Sequence, residues 1–480
     1  MTVWDSIFQL IFGKRRPRPA PSTTNTSPPP RPTPPPAPPP PAPQPEAPQP
    51  TPSEPAPQPP APQPPAPEPQ PPSTPTPPPA QPSAPVATIE LGCVDAEVSD
   101  ESCAAYLGEV ERTTRVRLAD IRDTLDKVTT KRFPAAPSGA MSIADVQRGL
   151  ASLGFFPGGR ADGICGYRTL SAIRLFQEYL RSYENQDIVP DGKFGPRTAA
   201  HLQRWLSSGQ RPDFRQTPGE YEAWLALLER VKQNYIAEPG PLTQKVNAFT
   251  GASDTLKPTD WDTTGPGNIH LIGVRRSEFT NKFDDIFVLL MKGMVFKFQG
   301  STEPGHSSHP EGPPFLVPGQ HKYHFGWHQR SYLALRPLGP GVLVIRGGAD
   351  GKLDMADIDK PLAPNATINI HWGGRGMAGD VNNWSEGCQV INGSVYLNPA
   401  GQIVNCQGFA AVRSSEPQTA GSGKTRGAYN LLLDLVTALS GDMPSNTVRY
   451  TLFKEGDLAL APDLQQGLNG ARASVVHMAT

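Results

Sequence analysis

A histidine and a cysteine in the C-terminal half are the residues whose types and spacing best suit covalent chemistry. His371 ends an apolar run, and Cys388 follows it by seventeen residues, directly after Gly387. A thiol with an ordinary pKa of about 8.5 needs a neighbouring imidazole or hydrogen-bond donor to hold it as the reactive thiolate. Cys388 is therefore a candidate nucleophile, with His371 as its candidate base.

The glycines around this pair suit a close approach of substrate to the backbone. Gly387 lets the chain pass beside a bound carbonyl, and backbone amides near Cys388 are candidates for binding the oxyanion that forms on attack. Spacing alone leaves two interpretations open, a catalytic pair and two structural side chains. The flanking residues are needed to choose between them.

The residues that flank Cys388 form a recognisable motif. They read Trp-Ser-Glu-Gly-Cys-Gln-Val. With the preceding histidine, they resemble the catalytic domain of the L,D-transpeptidase (YkuD-like) family, whose signature is a strand-ending histidine followed by Ser-His-Gly-Cys. Glu386 stands where that family usually has histidine. An upstream run, Val-Pro-Gly-Gln-His-Lys-Tyr, is also similar, so the resemblance covers residues 269–453.

The resemblance implies a reaction on the stem peptides of peptidoglycan. Cys388 would attack an L-to-D peptide bond and form an acyl-enzyme, which an amine or water then releases. His371 would act as general base and acid, and Ser385 or a main-chain carbonyl near it would orient the imidazole. Transpeptidation, carboxypeptidase action and endopeptidase action all fit these roles, and no cofactor is implied.

Four further residues are expected on the substrate side of the site. They are Gly373, Trp384, Gly387 and His328. For His328, a hydrogen-bonded structural histidine is the alternative. The replacement of the family histidine by Glu386 affects the expected substrate contacts more than the nucleophile. It also permits a non-catalytic protein that keeps an enzyme's fold.

An internal repeat precedes this domain. Residues 162–169 read Asp-Gly-Ile-Cys-Gly-Tyr-Arg-Thr, and residues 191–198 read Asp-Gly-Lys-Phe-Gly-Pro-Arg-Thr. Each copy predicts a glycine turn, a threonine helix start and an apolar helix, and Ser142 can cap another helix ahead of them. Here the chain resembles a three-helix peptidoglycan-binding domain. The turns themselves favour a structural role, so binding is implied by the resemblance.

Composition sets the N-terminal region apart. More than half of the 60 prolines lie in residues 17–86, which cannot bury a core and are expected to form a disordered linker. Residues 1–16 can form a short amphipathic helix followed by basic residues, so residues 3–16 are a candidate for contact with a membrane surface. This segment is too short to span a bilayer and does not read as a standard signal peptide.

The expected architecture is multidomain α+β. After the linker, the expected units are a helical segment without an assigned role at 87–136, an all-α peptidoglycan-binding domain at 137–208, a connecting helix at 209–245, a β-rich catalytic domain at 246–460 and a tail at 461–480. Thr217 and Pro218 are expected to begin the connecting helix, which would pack between the two folded units.

Charge and cysteine content bear on other classes of protein. The 44 basic and 45 acidic residues give a net charge of -1, so no nucleic-acid partner is expected. Five cysteines without a C-x-x-C pair indicate neither a disulfide scaffold nor a zinc site. Cys93 and Cys103 are nevertheless close enough in sequence to bridge in an oxidising compartment, and two unpaired thiols are the alternative.

A histidine cluster leaves a third function open. Its members are His306, His309, His321, His324 and His328. A zinc-dependent amidase or peptidase would use such residues, although prolines and glycines prevent a helix across most of this run. For the cysteine enzyme and for the non-catalytic protein, the expected partners are peptidoglycan glycan and stem peptides. These partners predict a location in the cell envelope, either periplasm or cell wall, and the export route is left open.

Overall fold

The computed structural model describes the chain from Thr88 onward, with interruptions. The described residues are 88–122, 131–132, 141–156, 159–214, 219–264, 269–276, 281–305, 307, 309–347, 350, 352–374, 380–406, 426–439, 447–460 and 462–479. The expected amphipathic segment at 1–16 and the proline-rich linker at 17–86 lie outside these residues.

The segment ahead of the helical domain contains one helix and two short strands. Helix α1 spans Asp100–Thr114, and the hydroxyl of Ser99 caps it by accepting a hydrogen bond from a first-turn amide. Strand β1, Cys93–Val94, pairs in parallel with β2, Lys131–Arg132. A 3-10 turn at Leu118–Asp120 follows α1. The prediction of a helical segment at 87–136 therefore agrees with the presence of α1.

The helical domain begins where the sequence predicts. The Ser142 hydroxyl caps its first helix by accepting a hydrogen bond from the Asp145 amide. Its helices are α2 (Ile143–Ser152), α3 (Tyr167–Tyr183) and α4 (Pro196–Ser208). Edge-to-face aromatic rings fill its core. These rings belong to Phe155, Phe176, Tyr179 and Trp205.

A buried glutamine of α2 holds the first Asp-Gly turn. The Gln147 amide nitrogen donates to Asp162 Oδ1 and to Thr169 Oγ1, both at 2.8 Å, and its oxygen accepts from the Gly163 amide at 3.0 Å. Gly163 has a φ of +72°, which glycine adopts without strain. The carboxylate and the hydroxyl are engaged within the turn, which supports its structural interpretation.

The second turn repeats this arrangement one helix later. The Gln177 amide nitrogen, from α3, donates to Asp191 Oδ1 at 3.1 Å and to Thr198 Oγ1 at 3.2 Å. Its oxygen accepts from the Gly192 amide at 2.8 Å. The repeat in the sequence is therefore a repeat of one hydrogen-bonded unit.

The threonines of the repeat lie inside the helices and not at their starts. The N-cap positions of α3 and α4 are Gly166 and Gly195, neither with a side-chain cap. Thr169 and Thr198 occupy the third helical positions and are buried. The predicted threonine caps are wrong because the hydroxyls bind the glutamine side chains instead.

Replacing Gln177 with leucine is expected to loosen the second turn, because buried polar groups lose their partner. Such a loss costs about 1–3 kcal/mol, which corresponds to roughly 5- to 150-fold faster exchange of the Gly192 amide hydrogen. Hydrogen-exchange mass spectrometry of peptides covering residues 191–198 measures the effect. Gln203→Leu, at an exposed position of α4, is the matched control, and equal acceleration in both variants would contradict the prediction.

An eight-stranded barrel follows the helical domain. In hydrogen-bonded order its strands are β11 (Ile370–Trp372), β8 (Tyr332–Pro337), β7 (Gly319–His328), β14 (Val448–Lys454), β3 (His270–Arg275), β4 (Asp285–Met291), β5 (Met294–Ser301) and β12 (Gln389–Leu397). Pairing of β11 with β12 closes the ring, and β13 (Ile403–Asn405) adds to β12. The predicted order, a helical region followed by a β-rich domain, is confirmed.

A smaller antiparallel sheet leads into the barrel strands that carry the candidate residues. It consists of β10 (Ala363–Asn365), β9 (Val342–Arg346) and β6 (Pro314–Leu316), with the short helix α7 (Met355–Ile358) between β9 and β10. In the chain, β6 directly precedes β7, and β10 directly precedes β11. This sheet therefore positions the chain where it enters β7 and β11.

The barrel strands are apolar at successive positions because both of their faces are covered. β4 is buried along its whole length. Its alternate residues belong to two different buried clusters, one that includes residues of helix α8 (Ala428–Leu439) and one that includes residues of α5 (Glu220–Ala237). A strand covered on both faces needs a continuous apolar run in place of alternation.

The connecting helix differs from its prediction in start and in position. α5 begins at Glu220, after Gly219 at a φ of +108°, and the Glu222 carboxylate accepts a hydrogen bond from the Gly219 amide. The helix thus begins later than the predicted cap. Its apolar residues, Trp224 among them, pack on the barrel, so it covers the barrel and does not separate two folded units. α6 (Pro241–Ala248) follows it.

The C-terminal segment is a helix and not the predicted tail. α9 spans Pro462–Ala479, and Leu464 and Leu468 are buried in the same cluster as α5. The apolar spacing of four residues places both side chains on one face of the helix. Among the described helices, none is long and apolar enough to cross a membrane.

Candidate active site

β11 and β12 bring the candidate histidine and cysteine onto neighbouring strands. The two strands run parallel, with Ile370 opposite Gln389 and His371 opposite Val390. Cys388 directly precedes β12 and is half-buried. Parallel neighbours need a connection of a dozen or more residues. The seventeen-residue separation between histidine and cysteine meets that requirement.

Backbone groups ahead of β11 hold the Cys388 thiol. The Asn369 amide donates to Sγ at 3.4 Å, and Sγ donates to the Thr367 carbonyl at 3.3 Å. Neither of these contacts involves His371. The thiol must turn towards the imidazole before a proton can pass, and such contacts often tighten only when substrate binds.

The His371 imidazole is buried and oriented through one nitrogen. Its Nδ1 lies 2.9 Å from the Trp372 carbonyl oxygen and 3.1 Å from the Tyr332 hydroxyl. Because a carbonyl oxygen only accepts, this contact favours the tautomer with the hydrogen on Nδ1. Nε2 is buried without a hydrogen-bond partner in the described part of the chain. It is therefore the nitrogen suited to accept a proton.

His328 joins the imidazole to the residues that hold the thiol. Its ring stacks on that of His371, with centroids 4.1 Å apart and planes 29° from parallel. Its Nδ1 lies 3.1 Å from the side-chain nitrogen of Asn369, whose backbone amide contacts Cys388. The structure thus places His328 beside the candidate base, and its contact with substrate stays a prediction.

Ser385 lies in a different place from the one expected. Its hydroxyl donates to the Cys388 carbonyl at 2.7 Å and accepts from the Gly387 amide at 2.9 Å. These bonds brace the turn that leads into the cysteine. The contact that orients the imidazole is made by the Trp372 carbonyl, because the serine hydroxyl is used within its own turn.

Gly387 occupies a position that a side chain would disturb. Its φ is +151°, and a Cβ there would lie 2.7 Å from the Pro314 carbonyl oxygen and 3.0 Å from the Ile368 side chain. Backbone strain and close contact both favour glycine. β6 and the segment before β11 therefore pack closely against the turn that precedes the cysteine.

Two predicted substrate-side residues lie in the connection between the strands. Gly373 continues β11 by donating its amide hydrogen to the Ile391 carbonyl at 2.8 Å. Trp384 is 42% exposed, and its ring meets that of Trp372 edge-on at 5.7 Å. An exposed indole beside the cysteine turn is suited to contact a ligand, and that contact remains a prediction.

Burial keeps both candidate catalytic groups neutral at pH 7. It raises the pKa of Cys388 to about 11, against the opposing effects of the Asn369 amide and the Arg336 charge, while Glu386 adds to the rise. It lowers the pKa of His371 to about 4, with the adjacent carbonyl partly offsetting the shift. The resting pair is a thiol and a neutral imidazole, so the imidazole is in its basic form.

Alkylation of Cys388 by iodoacetamide is expected to become about tenfold faster per pH unit between about pH 7 and 10. The thiolate is the reactive form, and because the pKa is about 11, the thiolate fraction rises tenfold per pH unit below that value. Timed quenching and mass spectrometry of the Cys388 peptide measure the rate, with the fully buried Cys406 as internal control. A rate that stays level would indicate a thiolate–imidazolium pair and contradict the prediction.

The histidine cluster offers no support for the zinc hypothesis. Both ring nitrogens of His321 are engaged, one by a threonine hydroxyl at 2.9 Å and one by a carbonyl oxygen at 3.0 Å. His309 is exposed, and His306 lies outside the described residues. Among the described residues, the one group close enough to bind a metal is Asp284, Asp285 and Glu303, which contains no histidine.

Three residues around the base and the thiol were not predicted from the sequence. They are Asn369, Tyr332 and Trp372. Trp372 directly follows the motif histidine and Asn369 precedes it by two residues, and this proximity was the available signal. Tyr332 follows the β7–β8 turn, and only the pairing of strands brings it to the imidazole.

Comparison with known families decides the nature of the helical domain. Residues 141–202 match a family model described as a putative peptidoglycan binding domain. The helical unit is a peptidoglycan-binding domain. No L,D-transpeptidase family model matches the chain, and comparison with curated proteins and with solved structures gives no match. Association with peptidoglycan, and so with the cell wall or envelope, rests on residues 141–202.

The peptidoglycan-binding domain is fixed to the barrel by buried polar contacts. Arg174 of α3 forms an ion pair with Asp434 of α8, with Nε and Oδ2 2.9 Å apart. Tyr396 of β12 donates a hydrogen bond to the buried Glu178 carboxylate. Around these contacts, residues of the helical domain, α8 and β12, such as Phe176, Leu431 and Tyr396, are buried in one apolar cluster, so separating the surfaces would expose apolar area to water. The wall-binding and candidate catalytic units therefore pack as one body.

Proposed function

We propose that this protein is a peptidoglycan-modifying cysteine enzyme that acts on stem peptides through an acyl-enzyme at Cys388. The parallel pairing of β11 with β12 carries the proposal, because it sets a half-buried thiol beside the strand of a buried imidazole. The unpartnered Nε2 of His371 supports a role as base. L,D-transpeptidation, L,D-carboxypeptidase action and endopeptidase action are the reactions of this class.

In the proposed reaction, Cys388 Sγ bonds to the peptide carbonyl carbon while His371 Nε2 takes the thiol proton. Collapse of the tetrahedral intermediate breaks the C–N bond, and the departing amine takes that proton from the imidazole. An amine or water then attacks the thioester and loses a proton through His371, and the thiol re-forms. The Gly387 amide is already bound to Ser385, which favours the Cys388 amide as an oxyanion donor.

The peptidoglycan-binding domain supplies the substrate context for this reaction. Holding the chain on the wall raises the local concentration of stem peptides, so a weak catalytic site gains occupancy without new contacts. The ion pair between Arg174 and Asp434 joins the helical domain to α8, so binding to the wall would also hold the barrel close to it. We place the protein in the cell envelope on this basis, with glycan and stem peptides as its partners.

The test is incubation of the full-length protein with purified sacculi and with tetrapeptide-stem muropeptides. Mass spectrometry of the products is expected to show loss of the terminal residue, cleaved cross-links or a new cross-link, and the product mass tells whether water or an amine accepts the acyl group. Intact-protein mass spectrometry should show the acyl adduct. Binding to sacculi with neither products nor adduct would overturn the enzymatic proposal.

One observation favours the second candidate, a non-catalytic peptidoglycan-binding protein. The Cys388 thiol donates to the Thr367 carbonyl, and its high pKa leaves it protonated at neutral pH. A site that had lost its chemistry would show such a resting pair. Chelator-insensitive activity in the same assay would separate the cysteine enzyme from a zinc enzyme, and the absence of any activity would favour the non-catalytic candidate.

A further inference from the structure

Two cysteines, Cys93 and Cys165, lie where the segment that contains α1 contacts the peptidoglycan-binding domain. The Cys165 amide donates to the Cys93 carbonyl at 2.8 Å, and the Cys165 carbonyl accepts from the Gly92 amide at 2.9 Å. Next along the chain, Val94 and Ile164 form an antiparallel bridge. Two short stretches that are distant in sequence therefore run antiparallel at this point.

The register of this pairing sets Cys93 opposite Cys165. In an antiparallel pair, one step forward on one strand is one step back on the other, so the residues beside Val94 and Ile164 face each other. One hydrogen bond joins the two residues directly, and opposed residues of an antiparallel pair have Cα atoms about 4.5–5.5 Å apart. That separation lies within the range that a disulfide spans, and opposed side chains project to the same side.

The surroundings of the two sulfurs agree with this placement. Cys93 and Cys165 are both buried in the large apolar cluster of the molecule. Burial, and then the neighbouring Cys93, raise the pKa of Cys165 well above its ordinary value. Cys103, which the sequence suggested as the partner of Cys93, packs in a different cluster. The fold therefore pairs Cys93 with a cysteine that is 72 residues away.

We infer that Cys93 and Cys165 form a disulfide when the chain folds in an oxidising compartment. One thiolate attacks a small-molecule disulfide such as oxidised glutathione, which gives a mixed disulfide and one reduced glutathione. The second cysteine displaces the other glutathione, so two protein thiols become one cystine and the oxidant is reduced. The inference rests on the envelope location of the proposed function and not on catalysis.

Such a bond would fasten the segment before α2 to the peptidoglycan-binding domain. The same segment also contacts the barrel, since the Arg122 amide donates to the Arg330 carbonyl at 2.8 Å and Arg115 donates to the Leu338 carbonyl at 2.9 Å. A cross-link that closes a long loop restricts the unfolded chain. It would thus secure a segment that contacts both units.

The test is a peptide map of the full-length protein refolded in glutathione redox buffer and alkylated under denaturing conditions. We expect a Cys93–Cys165 linked peptide, with three of the five cysteines alkylated. Reduction should lower the midpoint of thermal unfolding by roughly 2–6 °C. Alkylation of both Cys93 and Cys165, or a Cys93–Cys103 peptide, would overturn the inference.

Two variants sharpen the result. Cys103→Ser should keep the linked peptide, and Cys165→Ser should leave Cys93 alkylated instead of bridged to Cys103. The wild-type map decides the matter even if a variant folds poorly. Because the map needs no turnover, its failure leaves the proposed reaction untouched, and inactivity on muropeptides leaves the disulfide untouched.

Discussion

Replacing Cys388 with alanine is expected to abolish product formation and the acyl adduct. Removal of the nucleophile eliminates the covalent route, a loss on the order of 10⁴-fold or more in catalytic residues that act as a unit. Binding to sacculi should be unchanged, because residues 141–202 match the wall-binding family and Cys388 lies outside them. Mass spectrometry of muropeptide products, beside a sacculus pull-down, measures both properties.

The matched control for this substitution is Cys103→Ala. Cys103 is a cysteine in the segment that contains α1, outside the residues around His371. We expect the Cys103→Ala variant to turn over muropeptides at the wild-type rate. Products that persist in Cys388→Ala would show that another residue does the chemistry. Equal loss in both variants would point to a folding defect.

Replacing His371 with glutamine is expected to slow acylation by about 10²- to 10⁴-fold, the usual contribution of a positioned base. The effect should be large because the thiol, with its pKa of about 11, depends on a base at neutral pH. Since the pKa of His371 is about 4, the wild-type rate should fall only below about pH 5, where the imidazole gains a proton. Acyl-adduct formation measured from pH 3.5 to 9 gives both results.

The control for the base is His309→Gln. His309 is exposed and belongs to the histidine cluster that the zinc hypothesis would use. An unchanged rate in this variant agrees with a cysteine–histidine mechanism. A loss in His309→Gln that matches the loss in His371→Gln would instead favour metal chemistry. A wild-type rate that falls already below pH 7 would contradict the depressed pKa of His371.

Much of the local structure follows from short-range rules in the sequence. Ser142 caps α2 because its hydroxyl can reach an amide three residues on, and this geometry depends on neighbouring residues alone. The Asp-Gly repeat predicted turns because glycine tolerates positive φ. The threonine caps were wrong because Gln147 and Gln177, each from the preceding helix, compete for the hydroxyls.

Only part of the candidate site could be predicted from the sequence. The motif around Cys388 named the nucleophile and His371, because their residue types and spacing are local properties. It offered Ser385 or a nearby main-chain carbonyl as the group that orients the imidazole, whereas the serine hydroxyl bonds within its own turn and the Trp372 carbonyl contacts the ring. Tyr332 was missed because its contact with the base depends on how β7, β8 and β11 pair.

The sequence by itself determined a helical domain, its internal Asp-Gly repeat, a β-rich domain and the residues suited to covalent chemistry. Tertiary structure alone decided that the barrel closes through β11 and β12, that α5 and α9 cover it, and that Cys93 faces Cys165. The physical reason is distance along the chain. Caps, turns and motifs depend on residues a few positions apart, whereas strand register and burial depend on partners that the sequence does not place side by side.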